Sequence, residues 1–150
     1  MKKKILMISV LLLLFAAVVS AQSADAFTEM IEAKQVTVGD IGYFLAVYRG
    51  FVPESASASE ATSALQNEGI VADSVEADTP LTYRLFAGML MRTWDVKGGL
   101  MYTITGADRY ALRELQAKGF IPSSVDPTAV VSGYQALATF NNCMTKLEGN

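Results

Sequence analysis

The sequence predicts an all-α domain in which three short-helix/long-helix pairs close around one core as a pseudo-threefold bundle. Three observations lead there. The stretch "ATSALQNEGIVADSVEADTPLT" (61–82) recurs without a gap as "ALRELQAKGFIPSSVDPTAVVS" (111–132). Hydroxyl residues followed three positions later by a carboxylate or amide side chain mark helix starts at Thr37/Asp40, Ser57/Glu60, Thr105/Asp108 and Ser132/Gln135. Downstream of most of these starts, apolar residues recur at spacings of three and four rather than two.

Taken in order, the chain opens with Lys2, Lys3 and Lys4, then an apolar run from Ile5 to Val19 broken only by Ser9, then Val19-Ser20-Ala21. This order of basic, apolar and small residues predicts a secretory signal peptide over 1–21 and a mature single domain over 22–150. The run is about 15 residues, short of the ~20 that a membrane-spanning helix needs, so an uncleaved anchor is the weaker alternative. No membrane span is expected after cleavage.

Six helices are predicted, at 26–34, 37–50, 57–68, 82–95, 105–118 and 132–147. In the repeated unit, Ala61 and Leu65 share a helix face, as do Ala111 and Leu115. Gly69 and Gly119 then end those helices as left-handed residues, each followed by an apolar residue, Ile70 or Phe120. A loop leads to Thr82 in one copy and Ser132 in the other, where the long helices start. Thr79-Pro80 is an alternative start for the fourth helix. The long helices carry apolar stripes: Ile41, Phe44, Leu45 and Tyr48; Leu85, Phe86, Met89 and Leu90, extended by Trp94; and Ala136, Thr139, Phe140 and Cys143. The segment "LMYTIT" (100–105) alternates after Gly98-Gly99 and reads as an ordered loop or a short extended segment.

Composition excludes several functions. The chain has no histidine and one cysteine, Cys143. Ser-His-Asp and Cys-His catalysis and histidine-ligated metals are therefore ruled out, and no internal disulfide is possible. Removing 1–21 would leave nine basic against fifteen acidic residues, a poor balance for nucleic-acid binding. The acidic loop Asp73, Glu76 and Asp78 lacks EF-hand spacing and reads as solvated rather than as a Ca²⁺ site. Gly98-Gly99 has no GK[ST] after it, so it is a turn and not a phosphate loop. Cys143, on an apolar face, reads as a buried thiol. No cofactor or metal is expected, and no enzyme.

A short helix, a glycine-plus-apolar stop, a loop and a Thr-started long helix, repeated, resemble the S-layer homology domain. "LQNEGI" with "PLTYRLFAGMLMR", "LQAKGF" with "VVSGYQALATF", and "VTVGDIGYFLAVYR" carry the likeness across most of 26–147. The resemblance implies a helical fold of three degenerate repeats and a cell-envelope module that binds peptidoglycan or an attached cell-wall polymer. The arginine of the family's "TRAE"-like start falls on Val38, Tyr83 and Gly133, and its glutamate on Asp40, Leu85 and Gln135. Only Asp40 keeps an acidic group there, and Arg84 lies one place from the basic position.

Four residues stand out as candidate ligand contacts: Asp40, Arg84, Trp94 and Arg109. The planar guanidinium of Arg84, Arg92 or Arg109 suits a carboxylate of a wall polymer. Trp94, Tyr102, Tyr110 and Tyr134 have faces that suit a sugar ring. The plainer reading makes Trp94 core and the arginines solvated. The competing function is a structural envelope subunit that binds another protein through an apolar patch. Either way the protein is expected to be exported, to the periplasm or the cell surface.

Overall fold

The computed structural model describes residues 27–147, all-α with no strand among them. The expected signal peptide and its cleavage site lie outside the described residues. Residues 27–32 form helix α1. Six more follow: α2 (Val38–Tyr48), α3 (Ala58–Asn67), α4 (Tyr83–Thr93), α5 (Leu100–Thr105), α6 (Asp108–Ala117) and α7 (Gly133–Leu147).

Local chemistry places the ends. Thr37 and Ser57 each accept from the backbone amide three residues on, while Asp40 and Glu60 reach back to the cap amide, so α2 and α3 begin with complete capping boxes. Ser132 and Gln135 make the same reciprocal bonds at the start of α7. Thr82 caps α4 by accepting from Leu85, and Pro80 stays outside the helix. Gly69 and Gly119 take φ of 68° and 74° after α3 and α6, a conformation that costs a side chain about 1–2 kcal/mol. The next amides, Ile70 and Phe120, turn back onto the carbonyls of Leu65 and Leu115. Gln66 and Gln116 then tie each following loop to its helix, Gln66 through the carbonyls of Asp73 and Val75 and Gln116 through that of Pro122.

Two expectations are corrected. The segment 100–105 is a six-residue helix, α5, not an extended segment: no strand among the described residues offers it a ladder, and Gly106, with φ of 60°, closes it. Thr103 and Thr105 bond back to carbonyls four residues earlier, as hydroxyls on a helix do. Consequently Thr105 does not cap α6. Ala107 holds that position and no side chain caps the helix.

The start-points of the long helices are tied together. The Val36 amide donates to the Val131 carbonyl (3.1 Å), Leu81 to Val36 (2.9 Å) and Val131 to Leu81 (2.8 Å), a closed ring of three backbone hydrogen bonds. One step further in, Val38 donates to Thr79, Tyr83 to Ala129 and Gly133 to Ala33. Val36, Leu81 and Val131 are all buried, so these amides and carbonyls have no water to turn to and the ring satisfies them.

Below the ring, one hydrophobic core takes Ile41 and Leu45 from α2, Leu65 from α3, Phe86, Met89 and Leu90 from α4, Leu115 from α6, and Ala136 and Cys143 from α7. Helix α2 packs against α3, the next in sequence, and α4 packs against α6 across the intervening α5, which itself rests on α6. Gly133 lets α7 touch α1: a Cβ there would run into the Met30 carbonyl.

Candidate functional site

The ring brings together the first turns of α2, α4 and α7. Asp40 stands at the third position of α2, exposed, with its carboxylate accepting from the Thr37 amide (2.7 Å) and hydroxyl (2.8 Å). Arg84, at the second position of α4, is exposed, and its backbone amide donates to Pro127. Tyr134 holds the same position in α7 and is 68 % exposed. Tyr83 beside Arg84 is buried; burial pushes its phenol pKa above the usual value, with the Gln135 side chain opposing the rise. This face therefore offers an anion, a cation and an aromatic ring at the ends of helices whose starts are locked together.

Trp94 and Arg109 lie elsewhere. Ten residues separate Arg84 from Trp94, about 15 Å of helix, so Trp94 sits at the opposite end of α4. There it packs with Tyr48 (ring centroids 5.5 Å) and Phe140 (5.9 Å), which also meet each other edge-on at 5.6 Å. The indole Nε1 and the Tyr48 hydroxyl are both buried without a hydrogen-bond partner. Trp94 is thus half-buried in an aromatic cluster, which favours its reading as core over that of a sugar platform. Arg109 is the second residue of α6, next to Asp108, which pairs with Arg92 at 2.9 Å. The Arg109 guanidinium lies over the Tyr110 ring at 4.6 Å and donates to that hydroxyl at 2.9 Å. Of the four sequence candidates, Asp40 and Arg84 share the face of the helix starts, while Trp94 lies in the aromatic cluster at the end of α4 and Arg109 lies on α6 beside Tyr110.

Arg92, also a candidate carboxylate binder, is structural. Its Nε donates to the Ile70 carbonyl at 2.7 Å and Nη1 to Asp108 at 2.9 Å, so one side chain joins the stop of α3, the end of α4 and the start of α6. Tyr102 of α5 faces this pair; burial chiefly raises its pKa, with Arg92 opposing and Asp108 and Asp95 adding to the rise. Asp73, Glu76 and Asp78 are exposed, and among the described residues no group of three or more histidine, cysteine, aspartate or glutamate side chains is placed to hold a metal ion. Cys143 is buried, and burial pushes its thiol pKa up to about 12.

Sequence reasoning missed an apolar groove beside the aromatic cluster. It measures about 240 Å³ and is lined by Tyr43, Phe44, Val47 and Tyr48 of α2 and Phe140 and Met144 of α7, with Glu54 at its lip. The i, i+3, i+4 set Phe44, Val47 and Tyr48 on α2 was the available signal: these side chains are half-buried, while Val38, Ile41, Leu45 and Ala46 fill the core from that helix. Compared with protein-family models, curated proteins and solved structures, the chain matches none.

Proposed function

We propose that this chain is an exported, non-enzymatic cell-envelope module of the S-layer-homology type, and that it holds a cell-wall polymer on the face formed by the starts of α2, α4 and α7. The observation that carries this is the ring of backbone hydrogen bonds beneath three hydroxyl-capped helix starts, which is what three repeats of one unit about an axis would produce. The exposed groups on that face fit the ligand class. Arg84 offers a planar fork to a carboxylate, Tyr134 an aromatic face to a ring, and Asp40 an acceptor for hydroxyls, although capping already occupies part of its carboxylate. Trp94, at the far end of α4, and Arg109, in the first turn of α6, are left out of this site.

Co-sedimentation with purified cell wall, with and without its secondary polymers, tests the proposal. Arg84→Ala should reduce pelleting, most at low salt where charge contacts are least screened, while melting stays unchanged because the side chain is exposed. Tyr134→Ala should reduce it at all salt concentrations. If the unaltered protein stays in the supernatant at low salt, the wall-binding reading fails.

A second reading, a subunit that binds protein through an apolar patch, is favoured by α5. Its Leu100 and Ile104 are 75 % and 69 % exposed.

A further inference from the structure

The groove between α2 and α7 is walled by aromatic rings and carries a single charge. Tyr43, Phe44 and Tyr48 line it from α2 and Phe140 from α7. The rings do not stack into one flat wall: Tyr43 meets Phe44 at 78° and 5.3 Å, and Tyr48 meets Phe140 at 87° and 5.6 Å. Neighbours hold them in place. Phe27 of α1 packs edge-on to Phe44 at 6.1 Å, and Trp94 packs against both Tyr48 and Phe140. The charged residue of the lining is Glu54, which is exposed, and its backbone carbonyl accepts from the Tyr43 hydroxyl at 2.8 Å. No basic residue lines the groove. The cations nearest to it in sequence are engaged with rings outside it, Arg49 over Phe51 at 5.8 Å and Lys146 over Phe120 at 5.5 Å.

These groups select the charge of an occupant. The face of an aromatic ring is the negative part of its quadrupole, so the rings and the Glu54 carboxylate attract charge of the same sign. An anion meets repulsion from Glu54 and no cation in the lining. A neutral hydrocarbon fills the space but leaves the carboxylate unmatched. The kind of cation follows from hydration. A primary ammonium is strongly hydrated and brings three N–H donors that need acceptors, which rings supply poorly. A quaternary ammonium has no N–H to satisfy, and its methyl groups bury as apolar surface. The volume of about 240 Å³ exceeds the roughly 150 Å³ that encloses a benzene, so a trimethylammonium head fits with a short tail. Tyr48 also keeps a buried hydroxyl without a hydrogen-bond partner, one polar contact still to be made in this wall.

We propose that the α2–α7 groove binds a small quaternary ammonium compound, its cationic head held by the aromatic lining and Glu54. The site is separate from the face of the helix starts, which holds Asp40 and Arg84 and shares no residue with it. With one exposed carboxylate and partly solvated rings, half-saturation is expected on the order of 1 mM. A free cation suits the groove better than a phosphocholine headgroup, whose phosphate finds no basic residue in the lining.

The test needs no cell wall, so its outcome is independent of the wall-binding proposal. Trp94 is the single tryptophan of the chain and packs on two lining rings, so its emission reports on the groove. The naturally processed protein is titrated with choline up to ~50 mM at constant ionic strength, with saturation-transfer NMR on the choline methyl groups as a second readout. Both should show saturable binding. The uncharged carbon analogue 3,3-dimethylbutan-1-ol should bind at least about five-fold more weakly, and phosphocholine more weakly than choline. Glu54 is exposed, so Glu54→Gln should leave melting unchanged, weaken choline roughly two- to five-fold and leave the analogue alone. Phe44→Leu keeps an apolar side chain but removes a ring, and should weaken choline more than the analogue; should that variant melt early, Glu54→Gln decides. No change in either readout at ~50 mM choline overturns the proposal. So does an analogue that binds as well as choline, which would make the groove merely apolar, or a Glu54→Gln protein that binds choline like wild type. Phosphocholine binding more tightly than choline would assign the groove to a lipid headgroup instead.

Discussion

Replacing Gly133 with alanine separates the steric reason for a glycine from the conformational one. Gly133 is the first residue of α7, buried, with its amide donating to Ala33 at 2.9 Å. Its φ is not in the left-handed region, so alanine meets no backbone penalty there and would even gain up to about 1 kcal/mol of helix propensity. The added Cβ, however, lands on the Met30 carbonyl, with the Met30 carbonyl carbon at 2.7 Å. Neither atom is the end of a flexible side chain, so α1 must move away from α7. That exposes Met30, now 5 % accessible and worth about 1.5–3 kcal/mol buried, and breaks the bond to Ala33, worth about 1 kcal/mol. The net expected loss is about 1.5–4 kcal/mol. Gly119→Ala is the contrast: nothing lies within 4 Å of its Cβ position, and the whole cost is the φ of 74°, about 1–2 kcal/mol. Urea unfolding followed by circular dichroism measures both. Gly133→Ala should also lower the m-value, because α1 is then already undocked in the native state, whereas Gly119→Ala should leave it alone. In the Gly133→Ala background, Met30→Ala should cost little further. A Gly133→Ala protein as stable as wild type, or one in which Met30→Ala keeps its full cost, would refute the reasoning.

Three further outcomes are expected. Leu65→Ala and Leu115→Ala each empty a fully buried site at equivalent places in the repeat and should each cost roughly 2–5 kcal/mol in chemical denaturation; a negligible shift in both would show that they do not share one core. Arg92→Lys should lose the bond to the Ile70 carbonyl, roughly 1.5–3 kcal/mol, while Asp108→Asn, which breaks only the partly exposed ion pair, should cost under about 1 kcal/mol; equal costs would contradict this division. The Cys143 thiol pKa is raised from 9.0 to about 12, so between those values the unfolded chain has shed a proton that the native chain keeps. Stability should therefore fall as pH rises through that window, by up to about 1.4 kcal/mol per unit from this group, and Cys143→Ala should show a shallower decline; parallel slopes would show that burial does not hold the proton.

Much of the fold was legible because its signals are local. Thr37, Ser57, Thr82 and Ser132 satisfy amides within their own first turn, and Gly69 and Gly119 take a backbone angle that only their own residue type favours. Those interactions are complete within a few residues, so sequence spacing reports them. The failures are non-local or ambiguous. "LMYTIT" has β-forming residues, but a strand needs a neighbour and none is offered, so two bounding glycines and threonine back-bonding leave it helical. Thr105 was drawn into that helix and lost as a cap. The candidate site was legible only in part. Asp40 and Arg84 follow from counting along repeats, but Trp94 carries no sequence mark of the Tyr48 and Phe140 rings it meets. The role of Arg92 depends on Ile70 and Asp108, far from it in the chain on either side.

The ring of hydrogen bonds among Val36, Leu81 and Val131 also bears on how the protein comes into being. A polypeptide is made from its N-terminus, and the acceptor for the Val36 amide, the Val131 carbonyl, lies 95 residues (131 − 36) further along the chain. A product stopped before Val131 leaves that amide and the Leu81 carbonyl unmatched, together with the apolar side chains that surround them. Joining such distant segments is also the slow, entropically costly kind of contact. A chain cut before Val131 is therefore expected to lose more stability than its missing side chains alone would cost, because the buried Val36 amide and Leu81 carbonyl lose their partners.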